Sequence, residues 1–276
     1  MSSPEASAFD PAARAPLGPG SFSLAGRVAI VTGAAVGIGR AVALAFGRFG
    51  ADVAICDRDE QDLEDVAIEL NGLGCRVVTG LLDVRDGAAV DAFVAQAGVQ
   101  LDRLDIVVNN AGGGFASAFL DVNDRGQDAL VRENFGSVTN FVRSSVPLMV
   151  DGGSIINITS IEAHRAAPNF AVYSAMKAAV ANLTKSLALE LGPRLIRVNC
   201  IAPDVIPTPG IGDVSVHTPL PIAGHVDDVA AAAVYLAGDA GRFVTGTTIH
   251  VDGGNLAAGG WIRRPDGTYG TGVEPQ

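Results

Sequence analysis

The chain has 276 residues, of which 48% are hydrophobic and 18% are charged, and its 34 glycines indicate many tight turns. A formal net charge of −11 and a pI of about 4.7 argue against nucleic acid or an anionic membrane surface as the main partner, because like charges repel. The three cysteines, at positions 56, 75 and 200, are widely spaced in apolar runs, so we expect reduced thiols of a cytoplasmic protein and neither a disulfide framework nor a metal site.

Residues 1–22 are rich in Pro, Ala, Ser and Gly and have no basic start, which predicts a disordered arm and not a signal peptide. From Arg27 onward, short β-rich apolar runs alternate with longer helical stretches, the pattern of a parallel sheet covered on both faces. The segment 28–47 is apolar, but Arg40 and several glycines interrupt it, so we expect no membrane span.

The alternation predicts one Rossmann-type, doubly wound α/β domain over residues 23–258, followed by a C-terminal extension at 259–276. The predicted strands are 28–31, 52–56, 76–82, 104–108, 154–158, 197–201 and 247–251. The predicted helices are 38–49, 60–71, 87–98, 124–149, 172–190 and 226–237.

The first predicted strand leads into a glycine-rich turn, Thr32-Gly33-x3-Gly37-Ile38-Gly39, which opens directly into a helix. Gly33 permits the tight turn, Gly37 lets the backbone approach a diphosphate, and Gly39 lets the helix pack near the strand. The N–H groups of the helix, beginning near Ile38, would face the anion. At the end of a first strand, this turn predicts nucleotide binding.

The second predicted strand ends at Asp57, where such folds place the acidic residue that receives the ribose hydroxyls. A carboxylate there would repel a 2′-phosphate, so NAD is favoured over NADP, although Arg58 could pair with that phosphate. A turn or helix cap is the structural alternative for Asp57. Asp83 and Val84 end the third strand, where a short acid can accept a hydrogen bond from the adenine amino group.

The fourth predicted strand ends in Asn109-Asn110-Ala111-Gly112. Amide side chains beside a glycine turn can bind a cofactor or tie neighbouring strands together. Both roles stay open for Asn109, and we favour cofactor contact for Asn110, with Ala111 and Gly112 in the same site.

Tyr173 and Lys177 are four residues apart in a predicted helix, so the phenol and the ammonium share one face. A positive charge ~4 Å from the phenol is worth about 4 kcal/mol near a protein surface, or roughly three pKa units, which would let Tyr173 exchange a proton near pH 7. The chain has seventeen arginines but only two lysines, Lys177 and Lys185, so a lysine here indicates a need for a compact ammonium. Taken alone, such a pair is more often a half-buried aromatic residue and a solvated lysine.

Together these motifs resemble those of the short-chain dehydrogenase/reductase family, over residues 26 to 254. The motifs are the glycine-rich turn, Asp83-Val84, Asn109-Asn110-Ala111-Gly112, Asn134 in Glu-Asn-Phe-Gly, Ser160 in Asn-Ile-Thr-Ser, Tyr173-x3-Lys177 and Val251-Asp252-Gly253-Gly254. The resemblance depends on their order and spacing, including the 13 residues from Ser160 to Tyr173.

The resemblance implies hydride transfer between a nicotinamide and a small-molecule ketone or secondary alcohol. Tyr173 would be the general acid/base, and Ser160 would hold the substrate oxygen as charge develops. Lys177 would lower the pKa of the tyrosine and hold the nicotinamide ribose, which Tyr173 would also contact, and Asn134 would anchor a water that links the lysine to solvent. The structural alternatives are a turn hydroxyl for Ser160 and a surface amide for Asn134.

One segment departs from the family pattern, because Asp204 follows Pro203 where the family usually has glycine. Asp204 adds a Cβ and a charge beside the nicotinamide, whereas Ile206 and Thr208 match cofactor-contacting positions. The following segment, 209–221, is short and suggests an open substrate site. Candidates for lining that site are Phe115, Glu162, His164, Phe170 and Trp261, with His164 favoured as a loop histidine and not a catalyst.

In this family, subunits commonly meet across the last strand and along the long helices, so a homotetramer is the first expectation and a dimer the second. Two alternative functions remain. One is a lyase, epimerase or dehydratase-like enzyme of the same fold, and the other is a non-catalytic nucleotide-binding regulator. The complete set of Asn134, Ser160, Tyr173 and Lys177 argues against the regulator, which has no need for a proton relay.

Overall fold

The computed structural model describes residues 16–208 and 216–270. Its main sheet is built from seven strands: β1 (Val28–Thr32), β2 (Asp52–Asp57), β3 (Val77–Leu81), β4 (Ile106–Asn109), β5 (Ser154–Ile158), β6 (Arg197–Pro203) and β7 (Thr248–Val251). All neighbours pair in parallel, in the order β3-β2-β1-β4-β5-β6-β7. The predicted doubly wound α/β architecture is therefore confirmed.

Helices cover both faces of this sheet. They are α1 (Gly37–Arg48), α2 (Glu60–Gly72), α3 (Gly87–Leu101), α4 (Asp124–Val131), α5 (Ser137–Ser145), α6 (Ala171–Leu191), α7 (Val226–Ala237) and the short α8 (Asn255–Ala258). Two hydrophobic cores result, one on each face of the sheet.

The central strand β1 shows why the sheet forms. Its sequence, Val-Ala-Ile-Val-Thr, is buried along its whole length, as expected for a parallel strand covered on both faces. Ala29 and Val31 pack in the core under α1 and α7, whereas Val28 and Ile30 pack in the core under α3, α5 and α6. Burial of each Val or Ile side chain contributes about 1.5–3 kcal/mol. Because successive side chains of β1 point to opposite faces, this one strand contributes to both cores.

The strand order reverses beside β1, and this reversal creates the crevice of the protein. β1 pairs with β2 on one side and with β4 on the other, while the chain passes from β3 to β4 across the sheet. Connections from the carboxyl ends of these strands diverge to opposite faces at such a point, which leaves a cleft.

The predicted long helix at 124–149 is interrupted and shorter in the structure. α4 ends at Val131, a π-helical turn spans Arg132–Gly136, and α5 ends at Ser145. Within the π turn, the Nδ2 of Asn134 donates to the carbonyl of Leu130 at 3.0 Å. A side chain that bonds a carbonyl of the preceding turn perturbs regular helical geometry, and π turns are frequent at functional sites.

Both ends of the chain carry structure beyond the sheet. Residues 1–15 of the predicted arm lie outside the described residues, but Pro19–Phe22 forms a 3-10 turn and Phe22 packs against the core. Folded structure therefore begins before residue 23, where the arm was predicted to end. In the extension, β8 (Ile262–Arg263) and β9 (Tyr269–Gly270) pair as an antiparallel hairpin, and residues 271–276 lie outside the described residues.

Two sequence-based expectations concern membrane-spanning helices and cysteine pairing. No helix within residues 16–208 and 216–270 combines the length and the apolar composition that a membrane crossing needs. The three cysteines are unpaired, with Cys56 and Cys200 buried and Cys75 partly exposed.

Candidate active site

A crevice of about 590 Å³ lies at the carboxyl ends of the central strands, where the strand order reverses. This volume is typical of small-molecule sites. Most of the residues selected from the sequence line it: Gly33, Gly37, Ile38, Asp57, Arg58, Asp83, Val84, Asn110, Ala111, Gly112, Ser160, Tyr173, Lys177, Ile206 and Thr208. The remaining two residues do not line the crevice but contact the turn and the loop that form its wall. Gly39 packs against Gly33, and Asn134 bonds Gly113.

The glycine-rich turn needs each of its glycines for a definite reason. Gly33 and Gly37 have φ values of +64° and +60°, a conformation that side chains with a Cβ rarely adopt. At Gly39, a Cβ would lie 2.0 Å from the carbonyl oxygen of Gly33, so only glycine lets α1 pack this closely against the turn. The N-terminus of α1 thereby opens on the crevice with its backbone N–H groups, which suit a diphosphate.

Asp57 lies at the carboxyl end of β2 and lines the crevice. Its Oδ2 accepts from the N–H of Ala35 at 3.0 Å, which ties the glycine-rich turn to β2. Its Oδ1 accepts from the N–H of Arg58 at 2.7 Å. The N-cap of α2 is Asp59, which accepts from the N–H of Asp62, so Asp57 is not the helix cap.

Asp83 presents a second carboxylate to the crevice at the end of β3. Arg85 donates to both of its oxygens, at 2.9 Å from Nε. Chiefly through these hydrogen bonds, Arg85 holds the pKa of Asp83 below its ordinary value, although partial burial acts in the opposite direction. The carboxylate therefore stays ionised as an acceptor.

The two asparagines at the carboxyl end of β4 both tie strands together. The Nδ2 of Asn109 donates to the Oδ1 of Asn157 at 2.8 Å, a buried contact between β4 and β5. The Nδ2 of Asn110 donates to the carbonyls of Thr32 and Gly33, each at 3.0 Å, while the residue also lines the crevice. The strand-tying role is thus present at Asn110, where cofactor contact was favoured.

Ser160, Tyr173 and Lys177 converge on one wall of the crevice. Ser160 follows β5, and its Oγ accepts from the N–H of Glu162 at 3.2 Å. Tyr173 lies in the first turn of α6, close enough to Ser160 for the serine hydroxyl to act on its pKa. The Nζ of Lys177 donates to the carbonyl of Ile158 at 3.0 Å and lies 5.6 Å from the centroid of the Tyr173 ring.

The electrostatics of Tyr173 and Lys177 differ from the sequence-based expectation. Burial raises the pKa of Tyr173, the charge of Glu162 adds to this shift, and the hydrogen bond from Ser160 opposes it. Burial also lowers the pKa of Lys177 to about 8. The net shift of the Tyr173 pKa is therefore upward, opposite to the lowering expected from Lys177, because desolvation is its largest cause.

Asn134 is fully buried and holds the loop after β4. Its Nδ2 donates to the carbonyl of Gly113 at 2.8 Å, and its Oδ1 accepts from the N–H of the same residue at 3.2 Å. A Cβ at Gly112 would lie 2.8 Å from this Oδ1 and 3.1 Å from the Nζ of Lys177. Asn134 is therefore a buried amide and not a surface one, and it positions the backbone next to the lysine.

The residues expected to line the substrate side divide into two groups. Phe115 and Phe170 lie in an apolar cluster with Tyr173, and the rings of Phe170 and Tyr173 are 6.3 Å apart between centroids. Glu162, His164 and Trp261 do not line the crevice. His164 packs against His250 at 4.7 Å between ring centroids, and burial lowers the pKa of His164.

Gly114 and Arg165 are among the residues around this site that were not predicted from the sequence. A Cβ at Gly114 would lie 3.1 Å from the Tyr173 ring, so this glycine lets the loop after β4 cover the ring. Arg165 pairs with Glu162, at 2.8 Å between Nη2 and Oε1. The run Gly112-Gly113-Gly114 and the three-residue spacing of Glu162 and Arg165 are the signals that could have identified them.

Comparisons with known proteins agree on one family. The family model described as "Enoyl-(Acyl carrier protein) reductase" matches residues 33–255. An uncharacterised oxidoreductase of Mycobacterium tuberculosis is 40% identical over 246 residues, which cover 84% of this chain and 93% of the relative.

Solved structures extend the likeness to cofactor complexes. A 7α-hydroxysteroid dehydrogenase complexed with NADH and 7-oxo glycochenodeoxycholic acid matches with a TM-score of 0.83 and 32% identity, covering 87% of this chain and 98% of the other. A blue fluorescent protein from a metagenomic library, in complex with NADPH, matches with a TM-score of 0.80 and 35% identity, covering 84% and 98%.

Proposed function

This chain belongs to the short-chain dehydrogenase/reductase family of oxidoreductases, and from that premise we propose that it transfers a hydride between NAD and a secondary alcohol or ketone. The observation that carries this proposal is the convergence of Ser160, Tyr173 and Lys177 on the crevice that the glycine-rich turn opens. A proton donor, an oxygen-binding hydroxyl and a nucleotide cradle in one cleft are what carbonyl reduction requires. The relatives described above whose names state an activity are oxidoreductases, so neither a lyase nor a regulator is favoured.

The chemistry divides between the cofactor and the protein. The nicotinamide supplies or accepts the hydride. Tyr173 gives its phenolic proton to the carbonyl oxygen during reduction, and takes the proton back during alcohol oxidation. Ser160 donates a hydrogen bond to the same oxygen, which stabilises the charge that develops there. Both side chains line the same crevice, so the substrate oxygen would lie between the two hydroxyls.

Lys177 and Asn134 act on the position of the cofactor and on the supply of protons. Lys177 is buried beside Tyr173, and its lowered pKa of about 8 lets the amine exchange a proton close to neutral pH. Its Nζ would also donate to the nicotinamide ribose. Asn134 clamps Gly113, which keeps the loop after β4 close to the lysine. Asn134 would also help to order a water that links Lys177 to solvent.

We propose NAD as the preferred cofactor because Asp57 presents a carboxylate at the ribose end of the crevice. Arg58 lines the same end of the crevice and would favour NADP, because its guanidinium could pair with a 2′-phosphate. Gly33, Gly37, Ile38 and the adjacent crevice residues Asp83, Val84, Asn110, Ala111, Gly112, Ile206 and Thr208 would complete the cofactor site.

The experiment is an absorbance assay of nicotinamide reduction with a panel of secondary alcohols, and of nicotinamide oxidation with the matching ketones. We expect turnover with at least one pair in both directions, faster with NAD than with NADP. Tight cofactor binding without turnover across the panel would contradict the proposal and would favour a regulator or a reaction without net oxidation.

We also propose a cytoplasmic homotetramer, with a dimer as the second expectation. The support is that β7 ends the sheet with one side unpaired within the described residues, and an open sheet edge is a ready site for subunit pairing. Light scattering of the purified chain would test this assembly, and a monomer at micromolar concentration would contradict it.

A further inference from the structure

Asp204 brings a carboxylate to the wall of the crevice that also holds Ser160 and Tyr173. The side chain is only 11% exposed. Its Oδ2 accepts from the Nδ2 of Asn255, at the start of α8, at 2.6 Å, and its backbone N–H donates to the carbonyl of Val251 at 3.1 Å. The hydrogen bond from Asn255 therefore holds the carboxylate, and the hydrogen bond to Val251 holds the backbone that carries it.

Around Asp204, carboxylates outnumber the cationic side chain that they face. The Nη2 of Arg165 lies 3.9 Å from the Oδ1 of Asp204, but it lies closer, at 2.8 Å, to the Oε1 of Glu162. Asp252 is a third carboxylate near this guanidinium, and these acids together raise the pKa of Arg165, with Glu162 making the largest contribution. One guanidinium thus faces three carboxylates, and the local charge stays negative.

The rest of this end of the crevice offers little to an anion. In the described residues, Lys177 is the other cation on this wall, and it is buried and donates to the carbonyl of Ile158. Arg58 lies at the far end, after β2 and beside Asp57. Next to Tyr173 lies a mostly apolar cluster in which Phe115 and Phe170 are partly exposed.

We infer that Asp204 is a specificity-determining residue that restricts the substrate to uncharged alcohols and ketones with an apolar body. The inference deepens the proposed function and rests on it. A substrate carboxylate or phosphate near Asp204 would meet a fixed like charge, whereas an apolar body would pack against Phe115 and Phe170. A like charge within about 7 Å, at an effective dielectric constant of about 20, is worth on the order of tenfold or more in binding.

The test compares two ketones that differ mainly in charge: 4-oxocyclohexanecarboxylate and its methyl ester, each reduced with NADH. We expect kcat/KM of the wild-type protein for the ester to exceed that for the carboxylate by about tenfold or more. Asp204→Asn keeps an oxygen that can accept from Asn255 and removes the charge. It should lower the ester-to-carboxylate ratio by several-fold, mainly through a lower KM for the carboxylate.

A matched control and a second readout separate charge from general damage. Glu64→Gln removes an exposed carboxylate from α2, away from the crevice, and should leave the ester-to-carboxylate ratio unchanged. Added salt should lower the KM of the wild-type protein for the carboxylate more than that of the Asp204→Asn variant, because screening acts on the charge that the variant lacks.

The outcomes distinguish this inference from the function on which it rests. Turnover of the ester with an equal ester-to-carboxylate ratio in the wild-type and Asp204→Asn proteins would overturn the inference alone. A preference of the wild-type protein for the carboxylate would overturn it as well. If neither these ketones nor any ketone of the wider panel is reduced, the proposed function fails and the inference fails with it.

Discussion

The Nζ of Lys177 lies 5.6 Å from the centroid of the Tyr173 ring, one helical turn along α6, and donates to the carbonyl of Ile158 at the end of β5. The helix therefore presents both groups on one face, and the sheet holds the lysine. Burial acts on the two groups in opposite senses, raising the pKa of Tyr173 and lowering the pKa of Lys177 to about 8. Both shifts favour the neutral form, as expected for groups removed from water.

Tyr173→Phe should abolish turnover while leaving NAD affinity within about threefold, because the ring is kept and only the transferable proton is lost. The measurement is steady-state kinetics together with NAD binding by calorimetry. Tyr235→Phe, on α7 and away from the crevice, is the matched control and should keep the wild-type rate. Wild-type activity in Tyr173→Phe would remove the proposed acid/base.

Lys177→Met should raise the free energy of unfolding by about 1–2 kcal/mol at pH 7. The lowered pKa means that holding the charged lysine in the fold costs at most about 3 kcal/mol, part of which is offset by the hydrogen bond to Ile158. Between about pH 8 and pH 10.5 the unfolded chain binds more protons than the folded one. The wild-type protein therefore gains stability as pH rises through this window, and the advantage of the variant shrinks.

Urea unfolding at pH 7 and at pH 10 would measure both effects of Lys177→Met. Lys185→Met replaces the other lysine, which is exposed on the same helix, and should change stability little at either pH. A destabilised Lys177→Met variant at pH 7 would show that the contacts of the ammonium outweigh its desolvation.

Asp57→Asn should shift cofactor preference toward NADP by about tenfold, because it removes the charge that opposes a 2′-phosphate. The amide oxygen can still accept from the N–H of Ala35, so the glycine-rich turn should stay tied to β2. The measurement is the ratio of kcat/KM values for the two cofactors. If Asp57→Asn leaves the ratio unchanged and Arg58→Ala alters it, the arginine sets the preference.

Gly39→Ala should destabilise the protein by about 2–4 kcal/mol and weaken cofactor binding, because the new Cβ would lie 2.0 Å from the carbonyl oxygen of Gly33. The contact is with backbone, so α1 or the turn must move. Gly72→Ala, at the end of α2, places its Cβ in open space and should be neutral or slightly stabilising. Equal melting temperatures of these two variants would contradict the packing argument.

The sequence by itself determined the architecture and the membership of the crevice. Alternating apolar runs specify strands and helices locally, and the carboxyl ends of parallel strands must meet at one edge, so residues such as Asp57 and Asp83 were predicted to gather there. The family resemblance implied the same place for Tyr173. The spacing of Gly33, Gly37 and Gly39 was sufficient for the turn because it reflects the backbone geometry of one short segment.

Only the tertiary structure decided how the gathered side chains are used. The side-chain amide of Asn110 donates to the carbonyls of Thr32 and Gly33, which are far away in sequence. The direction of the Tyr173 pKa shift depends on burial by segments that are distant in sequence. The four-residue spacing of Tyr173 and Lys177 therefore cannot predict it. The ion pair between Arg165 and Asp204 likewise connects the segment that follows β5 with the segment that follows β6. Periodicity reports local conformation, whereas desolvation and partner choice arise from contacts that exist only after the chain has folded.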